Sequence, residues 1–193
     1  MKKRDKIKVI EAGQDLFRTK GYYNTGTEEI LQKADYPRSS FYYHFKSKEG
    51  FASQVLDHYG NDAEKKYIEI LTDENLGSPL TRLKYFTSMM IETISKNEFK
   101  AECLIQKFSI ECAANNEVLC DSTNQQLKKV LNVIEDCIEL GQNENEIRKD
   151  IEAYRLAEFF QAQWYGSYIF GRLQKDISPF ESNMKMVFNY MEG

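Results

Sequence analysis

Two stretches carry side chains able to do chemistry. The first is "RSSFYYHFKSK", residues 38–48, with one guanidinium, one imidazole, two ammonium groups and several hydroxyls set around two phenylalanines. Hydroxyls and ammonium groups donate to phosphate oxygens, and a guanidinium pairs bidentately with guanine or holds a phosphate. Phe41 and Phe45 are four apart, so on a helix both face inward as anchors. Arg38, Ser39, Ser40, Tyr43 and His44 then lie away from the anchor, with Tyr42 at its margin. Lys46 and Lys48 add charge just past the helix.

The second stretch is "CLIQKFSIEC", residues 103–112. Cys103 falls near a helix start, with Lys100 at i−3 and Lys107 at i+4. Helix amides and ammonium groups both favour thiolate. Cys112 is nine residues on and faces the opposite way, so the two thiols cannot bond within one straight helix. The plain alternative is that Cys103 is a small, inert, buried residue. A thiol enzyme would need a base and an orienting group. Of the two histidines, His44 and His58, His58 is the imidazole outside the first stretch.

These residues need elements to hold them. The pattern is helical nearly throughout, and three prolines (Pro37, Pro79, Pro179) punctuate it. A first helix is expected over 5–20, with Ile7, Ile10, Gly13, Leu16 and Phe17 as its buried stripe and Lys20-Gly21 as its stop. Gly26-Thr27 opens a second helix to Ala34. Asp35-Tyr36-Pro37 is a turn, and a third helix runs from Arg38 to Phe45. Two short helices across a three-residue turn have the size of a helix-turn-helix, in which the second enters the major groove. The amides at the start of the second helix, with Thr27, form an anion site. Ser47 caps a long fourth helix to about Leu71, weakened by Gly60. Further helices are expected over 79–96, 100–114, 117–141, 151–175 and 179–191, with Ser78 and Ser178 as N-caps before proline.

Charge supports a division of labour. Residues 1–60 hold eleven Lys/Arg against eight Asp/Glu, a net of +3; the rest holds 15 against 22, a net of −7. A basic head on an acidic body fits a head that touches phosphate. Four cysteines without a C-x-x-C pair, and two histidines, speak against zinc, and four buried thiols are the plain reading. No cofactor or metal is expected. No apolar run of membrane length and no leader is expected either, which points to the cytoplasm.

"TEEILQKADYPRSSFYYHFKSKEGF" resembles the signature of the TetR/AcrR family of bacterial transcriptional regulators. The resemblance rests on Thr27, Ile30, Ala34, the Phe41-Tyr42-x-His44-Phe45 core and Lys48-Glu49-Gly50, and covers about the first 60 residues. It departs at Tyr36 and Ser39, where a small aliphatic residue and glycine are usual. It implies an all-α fold of about nine helices: a three-helix DNA-binding head over 1–46, then a ligand-binding and dimerisation body over 47–193, with the helix 47–71 as connector. It further implies a homodimer bound to a double-stranded DNA operator and responsive to a small-molecule effector.

Within the body, "CLIQKFSIE" and the segment "LKKVLNVIEDCIELGQNENEI" resemble the effector domain of the N-ethylmaleimide reductase repressor branch. In that branch the cysteine matching Cys103 answers electrophiles and oxidants, and a lysine stands where this chain has Arg172. Residues 151–191 are the expected dimer interface. Trp164, Tyr165 and Tyr168, with Gln106, Gln161 and Arg172, are cavity candidates, since a pocket needs a few polar groups among apolar ones. The readings left open beside a regulator are a thiol-dependent enzyme using Cys103 and a helical adaptor that does not bind DNA.

Overall fold

The computed structural model describes residues 3–99 and 102–193. Among them are nine α-helices, one 3₁₀ turn and no strand: α1 (Lys3–Lys20), α2 (Thr27–Ala34), α3 (Arg38–Phe45), α4 (Lys48–Leu71), the turn Glu74–Leu76, α5 (Pro79–Lys96), α6 (Leu104–Glu111), α7 (Glu117–Asn143), α8 (Ala153–Gln174) and α9 (Ser178–Glu192). The chain divides into two compact units, residues 1–62 with 102–127, and residues 63–101 with 128–193. Helices α4 and α7 run from one unit into the other.

The first unit is built around Phe51 on α4, which is fully buried. The rings of Phe17, Phe41 and Phe45 lie 6.0, 5.0 and 4.8 Å from it, and Phe108 of α6 meets Phe17 at 5.6 Å. Gly13 permits this contact, because a Cβ there would sit 2.4 Å from the Phe51 ring. The expected α1 stripe is corrected at one position. Ile7 is exposed and Val9 is buried in its stead. The cause is the helical period: Val9, Gly13, Leu16 and Phe17 share one face, and Ile7 falls outside it.

Helix α6 belongs to this same unit. Arg18 Nε donates to the Glu102 carbonyl at 3.0 Å, and Lys107 Nζ donates to the Arg18 carbonyl at 3.0 Å. Tyr22 N–H donates to Glu111 at 2.8 Å. The start of α7 lies along α4 through polar pairs one turn apart: Asn116 with Glu49, Ser122 with Ser53, and Gln126 with Asp57. Gly60 does not break α4. It makes room for Gln126, whose Oε1 would lie 2.2 Å from a Cβ there. The helix expected over 100–114 is described from Leu104, and it ends at Cys112, where a turn leads to Asn116.

In the second unit Ser78 caps α5 as expected, accepting from Thr81 N–H with Pro79 at the first turn. The cap expected at Ser178 lies one residue earlier, at Ile177. The reason is Asp176, whose carboxylate takes both the N–H and the hydroxyl of Ser178. Helices α8 and α9 form a hairpin closed by Phe160 on Phe188, Trp164 on Phe180, and Asn183 donating to Ser167 at 3.0 Å. Its outer side is apolar: Phe170 is 55%, Leu173 78% and Met186 60% exposed. Gly166 opens onto space. The thiols are not uniformly buried, as the plain reading had it. Cys112 and Cys137 are buried; Cys103 and Cys120 sit at helix ends or edges and are half-buried. Among the described residues no helix is long and apolar enough to cross a membrane.

Candidate nucleic-acid interface and effector residues

Helix α3 shows two faces, because its anchors are four residues apart. Phe41 and Phe45 are buried, with ring centroids 5.1 Å apart. Arg38, Ser39, Tyr42 and Tyr43 are exposed, and Ser40 and His44 half-buried. Tyr43 is 72% exposed, an unusual setting for a large aromatic. Its phenol stands clear of the fold, with Lys46 Nζ 5.5 Å from its ring and His44 beside it at 5.0 Å. Arg38 lies over the Tyr42 ring and is ion-paired to Glu28 at the first turn of α2. That pair ties the two short helices together across their turn.

Both helices begin without a side-chain cap. Gly26 and Pro37 are the N-cap residues, and neither supplies an acceptor. The first-turn amides of α2, beside half-buried Thr27, and of α3, beside Ser39 and Ser40, therefore point outward as donors. Two uncapped helix starts, three hydroxyl-bearing groups and a guanidinium make a surface suited to phosphate oxygens.

The end of α3 is fixed by backbone. Lys46 has φ 65° and ψ −45°, a γ-turn in which Ser47 N–H donates to the Phe45 carbonyl at 2.7 Å. Gly50 is required directly above: a Cβ there would lie 2.4 Å from that same carbonyl oxygen. Ser47 then caps α4 by accepting from Gly50 N–H at 2.9 Å. The recognition helix is thus held by its C-terminus as well as by its core face.

Lys48 has an internal role beside any external one. Its ammonium lies 4.2 Å from the Tyr22 ring centroid, and burial pulls its pKa below the usual lysine value. Tyr22 is pushed up to about 12, by burial first and then by Glu49 and Cys112. The Cys112 thiol is pushed up to about 11 by burial and by Glu111. Cys112 is therefore a protonated, unreactive core group at neutral pH. Two residues with a place here were not singled out from sequence. Exposed Tyr23 stands beside the head, and the signal for it was the doubled tyrosine of "GYYN". Glu28 sets Arg38, ten residues away across the turn; a pair that far apart leaves no periodic trace.

The expected effector residues divide between the units. Cys103, Gln106 and Lys107 are in the first; Gln161, Trp164, Tyr165, Tyr168 and Arg172 are in the second. Cys103 is the N-cap of α6, half-buried. Lys100 lies outside the described residues. The Lys107 ammonium is bound to the Glu102 carboxylate and the Arg18 carbonyl. Gln106 is buried. On α8, Gln161, Trp164 and Tyr168 share one buried face, and both rings pack against Phe180. Tyr165 is half-buried. Arg172 is exposed, at the rim of an open cleft of about 550 Å³ lined also by Ser95, Glu98, Phe99 and Lys175.

The profile described as "Bacterial regulatory proteins, tetR family" matches residues 9–55, and that described as "Tetracyclin repressor-like, C-terminal domain" matches residues 79–187. The chain belongs to the TetR family. It is similar to the HTH-type transcriptional repressor DhaR of Mycobacterium sp. (strain GP1), 29% identical over 93% of this chain and 88% of that one. It is similar also to the repressor NemR of Escherichia coli (strain K12), 22% identical over 94% and 90% of the two chains. The crystal structure of a regulatory protein TetR from Rhodobacter sphaeroides superposes with a TM-score of 0.86 at 25% identity, over 96% and 97% of the two chains. As a TetR-family protein the chain is a DNA-binding transcriptional regulator and not an enzyme. The thiol-enzyme and adaptor readings end with that membership.

Proposed function

We propose that this TetR-family chain is a homodimeric repressor of a palindromic operator, working in the cytoplasm and released by a small effector or by modification of Cys103. The observation that carries the DNA reading is the division of α3 into a buried Phe41/Phe45 edge and an exposed Arg38/Ser39/Tyr42/Tyr43 edge. Thr27, Arg38, Ser39, Ser40, Tyr42, Tyr43, His44, Lys46 and Lys48 make the contacts, the last four chiefly to phosphate or at the groove edge. The head lies on residues 1–46 and the remainder, 47–193, is the connector and body. DhaR and NemR are both named as repressors, and that supports repression over activation.

One helix-turn-helix reads too few base pairs to be selective; two, related by a two-fold axis and one turn of DNA apart, about 34–36 Å, are selective. The apolar outer side of α8 and α9, within residues 151–191, supports their role as the dimer contact. An effector then needs different affinities for the bound and released spacings of the two heads.

Cys103 is placed to be felt by the head. Its neighbour Glu102 holds Arg18 through its carbonyl and Lys107 through its carboxylate, and both bonds end on the last turn of α1. A bulky adduct at Cys103 strains that joint. In the second unit Gln161, Trp164, Tyr165, Tyr168 and Arg172 are the ligand-facing candidates, with Gln106 and Lys107 beside the thiol in the first.

A gel shift on the DNA upstream of the protein's own gene tests both halves. The wild-type protein binds a specific duplex at low salt, loses it steeply as salt rises, and lets go after N-ethylmaleimide. The Cys103→Ser protein binds equally and does not let go. No specific complex at low salt refutes the DNA reading, and a Cys103→Ser protein that releases normally refutes the thiol as sensor.

A further inference from the structure

Arg82 is the one buried charged side chain among the described residues of the second unit, at 5% exposure. It stands in the second turn of α5, next to fully buried Leu83 and one turn before Phe86. Its Nε is shielded from solvent and has no hydrogen-bond acceptor. Four other cations of this unit hold carboxylates: Lys84 with Glu192, Lys96 with Glu92, Arg148 with Asp150 and Arg155 with Glu158. Arg82 is in no such pair among the described residues. A guanidinium does not lose its proton, so burial cannot be relieved by neutralisation. A buried charge without a counter-charge is costly and calls for an anion.

The neighbours narrow the choice of anion. Cys137 of α7 feels Arg82, and its Sγ donates to the Pro79 carbonyl at 3.4 Å. Asp136, Glu144 and Glu146 act on the same thiol from the other direction. Glu146 is already engaged, accepting from Leu80 N–H at 3.2 Å. One guanidinium amid nearby carboxylates balances one negative charge and disfavours two. The planar fork of arginine matches a carboxylate bidentately. The rings of Phe86 and Tyr67, 4.4 Å apart, offer apolar surface one turn along α5.

We infer that Arg82 anchors a small organic monoanion, a carboxylate with a short apolar or aromatic tail, inside the second unit. This rests on the reading of that unit as the ligand-binding half of the regulator. It deepens that reading by giving the charge of the ligand and the residue that selects it.

Thermal melting of the full-length protein tests it, with sodium butyrate and sodium benzoate as probes. Sodium chloride at equal ionic strength, butyramide and benzamide are the controls. The wild-type melting temperature rises saturably with a carboxylate, by about 3–6 °C at roughly ten times its dissociation constant. The amides and chloride give no such rise. Arg82→Met folds, keeps the side chain's bulk and shows no rise; Arg82→Lys keeps the charge without the fork and binds at least about tenfold more weakly. No saturable rise in the wild type, or an undiminished rise in both variants, overturns the inference. Operator retention, measured in parallel, reads the regulatory function separately. Carboxylate binding without operator release keeps the site and refutes the ligand as the effector.

Discussion

Phe41→Ala will destabilise the protein by about 3–5 kcal/mol and abolish operator binding. Phe41 has no exposed surface. Its ring meets Phe45 at 5.1 Å, Phe51 at 5.0 Å and Tyr42 at 5.4 Å. Alanine removes the ring shared by all three and leaves a cavity between α3 and α4. An eight-residue helix has no stability of its own, so α3 survives only while that face is buried. Phe41→Leu keeps most of the volume and is expected to cost much less. Denaturant unfolding gives the stability and a gel shift gives the affinity. An alanine variant that binds operator like the wild type would show that Phe41 does not hold the reading helix.

The second large effect lies far along the chain. Phe170→Glu combined with Leu173→Glu will leave the protomer folded and monomeric, and will weaken operator binding by about 10²–10⁴-fold. Both side chains are mostly exposed in the protomer, so charge there costs the fold little. In a two-fold contact each carboxylate meets its own copy, and the repulsion is desolvated. The loss in affinity follows because the second head no longer binds as an intramolecular event. Sedimentation gives the mass and a gel shift the affinity. A double variant that stays dimeric would move the interface off this face.

The head was legible because its signals are local. Gly26, Pro37 and Ser47 bound α2, α3 and α4 within a residue, and the 41/45 spacing gave the buried edge of α3. Where local signals compete, the reading slipped by little: Asp176 outbids Ser178 for the start of α9, and Val9 takes the place of Ile7. What sequence could not supply is pairing through space. Arg18 and Glu102 are 84 positions apart, and nothing periodic in either segment announces that α6 joins the unit of α1. Lys107 was legible as a neighbour of Cys103 by helical spacing; that its ammonium is taken by Glu102 was not. Arg82 is the sharpest case. A lone arginine reads as solvated surface, and only the packing of α5 reveals a buried guanidinium.

Glu28 and Arg38 illustrate how the two short helices form one reading unit. The ion pair spans the turn, and it places the guanidinium at the start of α3, where base edges or phosphate would meet it. The γ-turn at Lys46 and the glycine at 50 hold the other end. Substitutions at either end act on DNA affinity through the angle of α3, without touching DNA themselves.

Selection of bound duplexes from a random pool by the full-length protein tests the central claim most directly. The account predicts enrichment of one inverted repeat whose half-site centres lie about one helical turn apart, about 34–36 Å, with affinity falling steeply in salt. No enriched sequence, or a single unpaired half-site, would contradict it.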